Sequence, residues 1–124
     1  MLLDRACVGG GWNSGNSLVY GVPLRPHVET TAIALPALQD EERSPVIGAG
    51  LDWLRAAAAR IEWADSLAWG ILSLFVYQEP VAQLKKVLAM RVSEGAGIQN
   101  TATLATTLLA LKCGEMIHPF EVLR

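Results

Sequence analysis

From residue 27 onward the chain alternates two kinds of apolar segment. TTAIALPAL at 30–38, SLAWGILSL at 66–74 and TLATTLLAL at 103–111 are apolar or small at nearly every position, with Thr or Ser near the front and a closing Leu. Between them the apolar residues fall into stripes. Ile47, Leu51, Leu54, Ala58 and Ile61 recur at steps of 4, 3, 4 and 3, and Val81, Leu84, Val87 and Leu88 repeat the idea, while Asp52, Arg55, Lys85 and Lys86 lie off the stripes. That spacing marks one face of a helix. A helix apolar all round needs cover on every side, and an amphipathic helix supplies it from outside. The pattern therefore predicts an all-α fold, with inner helices near 27–39, 65–78 and 100–113 and outer helices near 45–61 and 80–92.

The alternation is periodic. The three inner segments start 36 and 37 residues apart, and Pro45, Pro80 and Pro119, each opening an outer segment, are spaced by 35 and 39. Proline suits the first helical turn, where its missing N–H has no intrahelical partner anyway. A short further helix is thus expected from Pro119, and Gly114 after Cys113 reads as the stop of the last inner helix. The result is a series of helical hairpins with a repeat near 36 residues. Pro36, inside the first inner segment, predicts a kink or break between Ala32 and Pro36. Residues 1–26 are of another character. Glycines 9, 10, 11, 15 and 21, with Asn13, Asn16, Pro23 and Pro26, predict a glycine-rich loop, and residues 27–124 form the hairpin domain.

Composition narrows the classes. Apolar residues make up 52% and charged residues 18%, against about 25% charged in an ordinary domain, which excludes a disordered chain. Ten basic and twelve acidic residues give −2, so there is no electrostatic footprint for nucleic acid. Cys7 and Cys113 have no CxxC spacing and suggest neither a zinc ribbon nor a disulfide scaffold. The most apolar stretch, Ser66 to Tyr77, is well short of the roughly 20 residues that span a bilayer. The start, MLLDRAC, lacks the regions of a signal peptide, so a cytoplasmic chain without a transmembrane segment is expected.

GGGWN at 9–13, VETTAIALPALQ at 28–39 and SLAWGILSLFVYQEP at 66–80 resemble the prenyltransferase and squalene-oxidase repeat of the squalene-hopene cyclase and protein prenyltransferase superfamily. The resemblance implies an α/α toroid, in which inner helices ring a cavity and outer helices surround them, and Gly11-Trp12 resembles the end of that family's glycine/aromatic motif. With two and a half hairpins the chain looks like a partial toroid, a C-terminal fragment of a longer protein. The cyclases' Asp-x-Asp-Asp acid motif is absent, and Asp40-Glu41-Glu42 reads as a solvated turn. The prenyltransferases' Asp-x-Cys zinc pair is absent too. Neither family chemistry has its residues here, so no catalytic residue, metal or cofactor is assigned.

Several residues are candidates for lining a ligand cavity. His27 and Glu29, at the start of the first inner helix, would suit proton transfer; the plainer reading is a Glu favoured by the helix dipole and a surface His. Trp12, Asn13 and Asn16 would line a pocket, or else plug the gap between hairpins and cap turns. Thr30 and Trp69 sit on inner helices. Trp53 falls on an outer helix and Trp63 in a turn, which leaves Trp69 alone as an inner aromatic, and one ring is not a carbocation cage. His118 and Cys113 fall short of a zinc ligand set, and Lys85 and Lys86 read as a solvated face. The function expected is a helical-repeat fragment, non-catalytic alone, that binds an apolar isoprenoid ligand or a partner chain. The alternative is the C-terminal part of a terpene cyclase or prenyltransferase, acting on a polyprenyl or triterpene substrate once joined to an upstream half. The inner helices carry more apolar surface than two outer helices cover, so self-association, pairing with that half or peripheral membrane contact is expected.

Overall fold

The computed structural model describes residues 1–95, 98–115 and 120. Its helices are α1 (Val28–Ala37), α2 (Pro45–Ala58), α3 (Ala64–Val76), α4 (Ala82–Ser93) and α5 (Thr101–Lys112). Each lies within three residues of its expected bounds, and the fold class is all-α. The helix expected from Pro119 lies outside the described residues, as does His118.

Local chemistry sets the ends. Ser44 Oγ accepts from the Ile47 N–H with Pro45 at the first helical position, and Asn100 Oδ1 accepts from the Thr103 N–H at 2.9 Å; both are side-chain N-caps. The end of α3 is closed by two reverse bonds, Gln78 N–H to Phe75 O and Glu79 N–H to Leu74 O, with Gln78 in the left-handed region (φ 60°) where glycine is usual. After α5 the chain leaves the helix at Cys113, and Gly114, at φ 89°, sits in the turn that Glu115 N–H closes on Lys112 O at 3.1 Å. Helix α1 differs from expectation: it runs through Pro36 to Ala37 and ends there. A proline acts on the turn before it and leaves the Ala32 carbonyl without its usual donor, yet the helix is unbroken between Ala32 and Pro36.

Packing is arranged about α3. It lies between α1 and α5, while α2 bridges α1 and α3 and α4 bridges α3 and α5. Nine of its thirteen residues are buried, and Leu67, Ile71, Leu72 and Leu74 meet Leu35, Leu51, Leu54 and Leu88 in one core. Among the described helices, burial on every side holds for α3 alone. At the two ends of the row α1 and α5 have one inner neighbour each, so Ile33 is 55% and Leu108 53% exposed. Lys85, expected in solvent, is half-buried and donates to Cys113 O at 3.0 Å, satisfying a carbonyl at the end of α5.

The N-terminal segment is fastened through Trp12, which is 2% exposed. Its backbone N–H donates to Thr31 Oγ1 at 2.9 Å, the Thr31 hydroxyl is 3.2 Å from Trp12 O, and the indole N–H donates to Leu2 O at 2.8 Å. The ring lies over Gly50 of α2, where an added Cβ would be 2.7 Å from it. Gly10, at φ 105°, would bring a Cβ within 2.3 Å of Ala49 O. Within the segment read as loop, two short elements form: a 3-10 turn, Leu3–Arg5, and an antiparallel hairpin of β1 (Leu18–Val19) and β2 (Val22–Pro23).

Further polar ties join the elements. Tyr77 OH donates to Leu35 O at 2.6 Å, linking the ends of α3 and α1. Glu79, mostly buried, accepts from Arg43 at 3.3 Å and from Arg55 at 2.7 Å.

Two outcomes follow from this packing. Gly50→Ala drives a methyl into a ring that cannot withdraw, and should cost about 1–3 kcal/mol by chemical denaturation. Burial pushes the Tyr77 hydroxyl up from 10.0 to about 12. A pKa raised by folding gives a contribution that is complete below the unfolded value and fades as pH climbs through the folded one. Tyr77→Phe should therefore be less stable than the parent by about 1 kcal/mol at neutral pH, and the gap in thermal melts should close between pH 10 and 12. A gap that persists at the alkaline end would refute the assignment.

Candidate functional site

The first turns of α1 and α3 and the last turns of α2 meet around an open groove of about 600 Å³. Val28, Ala56, Ala57 and Ile61 form its apolar lining, Trp53 and Trp63 its aromatic walls, and Glu29, Ser66, Arg60 and Glu62 its polar rim. The amphipathic stripe of α2 explains half of this: Trp53 and Ala57 are one turn apart beside the buried Leu54 and Ala58. The chain then turns at 59–63, which brings Ile61 under the groove and Trp63 to the N-cap of α3.

Trp63 is 65% exposed and offers no side-chain cap to the helix it starts. Tryptophan is a poor choice there, since Ser, Thr, Asp or Asn would contribute about 1 kcal/mol. Across the groove, the Ser66 hydroxyl donates to Glu29 Oε1. That bond fixes one carboxylate oxygen and leaves the rest of the group facing the groove. Neither Arg60 nor Glu62 makes an ion pair among the described residues. The arrangement can hold an apolar chain between two indoles and satisfy one polar end.

The residues expected to line a cavity are dispersed. Glu29 lines the groove, but His27 lines a separate pocket of about 300 Å³ with Asn13, Leu24 and Arg25. The proton-transfer pair is not assembled, because Glu29 is engaged by Ser66. Asn13 closes its own turn, donating to Asn16 O and accepting from the Gly15 N–H, both at 3.0 Å, and Asn16 Oδ1 accepts from Arg5. Thr30 Oγ1 is 3.4 Å from Ser14 Oγ. Trp12 faces the interior. Trp69 stands apart, stacked on Phe120 with ring centroids 5.4 Å apart and planes at 29°, and Phe120 O accepts from Gln39 Nε2 at 2.7 Å.

From sequence, Trp53 and Trp63 are set aside as cavity aromatics because one falls on an outer helix and the other in a turn, and nothing singles out Ser66; all three line the groove. Their places on an outer helix, in a turn and on an inner helix gave no reason to group them; only the local mismatch of a Trp before Ala-Asp-Ser, where a cap belongs, carried a signal.

Burial pushes the Cys7 thiol up, with a hydrogen bond from Asn13 opposing, and pushes Cys113 up, with Lys85 opposing. Both are free and buried, and their thiols stay protonated. Among the described residues no group of three His, Cys, Asp or Glu side chains is placed to hold a metal ion, and no helix is long and apolar enough to cross a membrane. No protein-family model, curated protein or solved structure matches the chain.

Proposed function

We propose that the chain is a non-catalytic helical-repeat unit of the terpenoid cyclase and prenyltransferase kind, which binds an apolar isoprenoid-class ligand in the groove between Trp53 and Trp63. The observation that carries this reading is the groove itself, with indole walls and an apolar lining around one fixed carboxylate. Ligand sites of this type are mostly apolar, with a few polar groups that orient the ligand. The rim selects among isoprenoids. Glu29 and Glu62 against Arg60 alone make a poor site for a diphosphate, whose charge would meet two carboxylates. A neutral alcohol suits it better, its hydroxyl donating to Glu29 and its chain lying on the indoles.

A second reading, pairing with an upstream half of a toroid that supplies the catalytic acid, is favoured by the apolar residues left open on the flanking helices, Ile33, Leu104 and Leu108. Exposed apolar patches of this kind mark interaction surfaces.

Titration with farnesol or geranylgeraniol should shift tryptophan emission with saturation, and Trp63→Ser should weaken binding about tenfold while leaving the helical circular dichroism unchanged. Farnesyl diphosphate should bind less well than the alcohol. An emission spectrum unmoved by either alcohol, or equal affinity of Trp63→Ser and the parent, would overturn the reading.

A further inference from the structure

The β1–β2 hairpin stands clear of the helices and carries apolar side chains on both of its faces. Leu18, Val19, Tyr20, Val22 and Leu24 are all exposed, Val19 least at 38% and Tyr20 wholly at 101%. Val19 pairs with Val22 across a two-residue turn made of Tyr20 and Gly21. Both turn residues have positive φ, 49° and 77°. A turn of that shape favours Asn-Gly or Asp-Gly. Here an aromatic residue occupies the strained first position while its side chain touches nothing in the fold. A backbone strain kept where packing gains nothing points to a role outside the fold.

The charge pattern indicates what meets it. From Ala6 to Leu24 there is no charged residue at all, in a chain with more acidic than basic groups, and this stretch is bounded by Arg5 and Arg25. Both arginines are placed at the base of the hairpin. Arg5 donates to Asn16 Oδ1 at 3.2 Å and lines a hollow with Leu18; Arg25 lines another with Leu24. Asp4 lines the same hollow as Arg5, and its carboxylate lies 3.6 Å from the Met1 amino group. An uncharged, aromatic-tipped ribbon with cationic groups at its base matches the layering of a bilayer surface, where aromatic rings sit at headgroup level and basic residues meet anionic lipid.

A second copy of the chain fits less well. The strands are two residues long, and Pro23 removes a donor from one edge, so the hairpin makes a poor template for an added strand. Insertion among lipid headgroups needs no strand pairing, and so is not limited by either feature. We propose that the hairpin is a membrane-interface anchor, which inserts Tyr20 and its apolar neighbours among the headgroups of an anionic bilayer while Arg5 and Arg25 meet the lipid phosphates.

Co-sedimentation with vesicles of phosphatidylcholine, with and without phosphatidylserine, tests this. The chain should pellet with the phosphatidylserine vesicles and less with phosphatidylcholine alone. Tyr20→Asn suits the turn better than tyrosine does, so it should fold and melt at least as well as the parent, yet its partition should fall about tenfold. Three results would overturn the proposal: equal partition of Tyr20→Asn and the parent, no preference for the anionic vesicles, or a dimer in light scattering that Tyr20→Asn abolishes, which would make a second copy the occupant.

Discussion

Helix α3 has no polar face to turn to water, and that constraint organises the molecule. Its length from Ala64 to Val76 is apolar or small almost throughout, and nine of these residues are buried. At about 25 cal/mol per Å² of apolar surface removed from water, no single neighbour covers such a helix. Four do: α1 and α5 on its flanks, α2 and α4 bridging from outside. The outer helices need only one apolar stripe each, which leaves Asp52, Arg55 and Lys86 free for solvent and ion pairs. The flanking helices bear the cost of the arrangement, because each covers α3 with one side and keeps apolar residues on another.

The N-terminal segment adds a second kind of interaction. Trp12 reaches the seam between α1 and α2, where Gly50 leaves space for its ring and Thr31 takes both backbone groups in hydrogen bonds. Gly10 and Gly11 let the backbone pass close to Ala49 and Thr31 on the way. Thus one indole, three glycines and one threonine fasten a segment with almost no other regular structure. The hairpin beyond Trp12 is held at its base only, by Arg5 on Asn16 and by the turn around Asn13. It projects because every residue from 18 to 24 is exposed.

What sequence made legible was what depends on period and local signals. The five helices and the start of α2 at Pro45 follow from residues within a few positions of one another. The seat of Trp12 on Gly50 did not, since it depends on a contact 38 positions apart along the chain. The groove was illegible for the same reason: Glu29, Trp53, Trp63 and Ser66 come from three helices and a turn. The hairpin was readable in part. Leu-Val-Tyr-Gly-Val has β-branched flanks around a glycine, but Tyr where a turn of this hand asks for Asn hid it. That the inner helices keep some apolar surface open was expected from the shortage of outer helices, but which residues do so, Ile33 and Leu108 among them, was hidden, because an end position in the row looks the same in sequence as a central one.

Three residues sit where local stability would choose another side chain. Gln78 takes a left-handed position that suits glycine, Trp63 an N-cap that suits Ser or Asp, and Tyr20 a turn position that suits Asn. Sequences that specify one structure tend to agree with it at every level, and departures gather where something besides folding is served. Gln78 is followed directly by Glu79, which gathers Arg43 and Arg55, so the turn it makes has an internal use. The other two are aromatic and largely or wholly exposed, with no such internal return. One forms a wall of the groove and the other tips the hairpin, and both lie outside the core that α3 organises. The scaffold is therefore stabilised in one part of the molecule and yields stability in another, at the two places where its aromatic surface meets water.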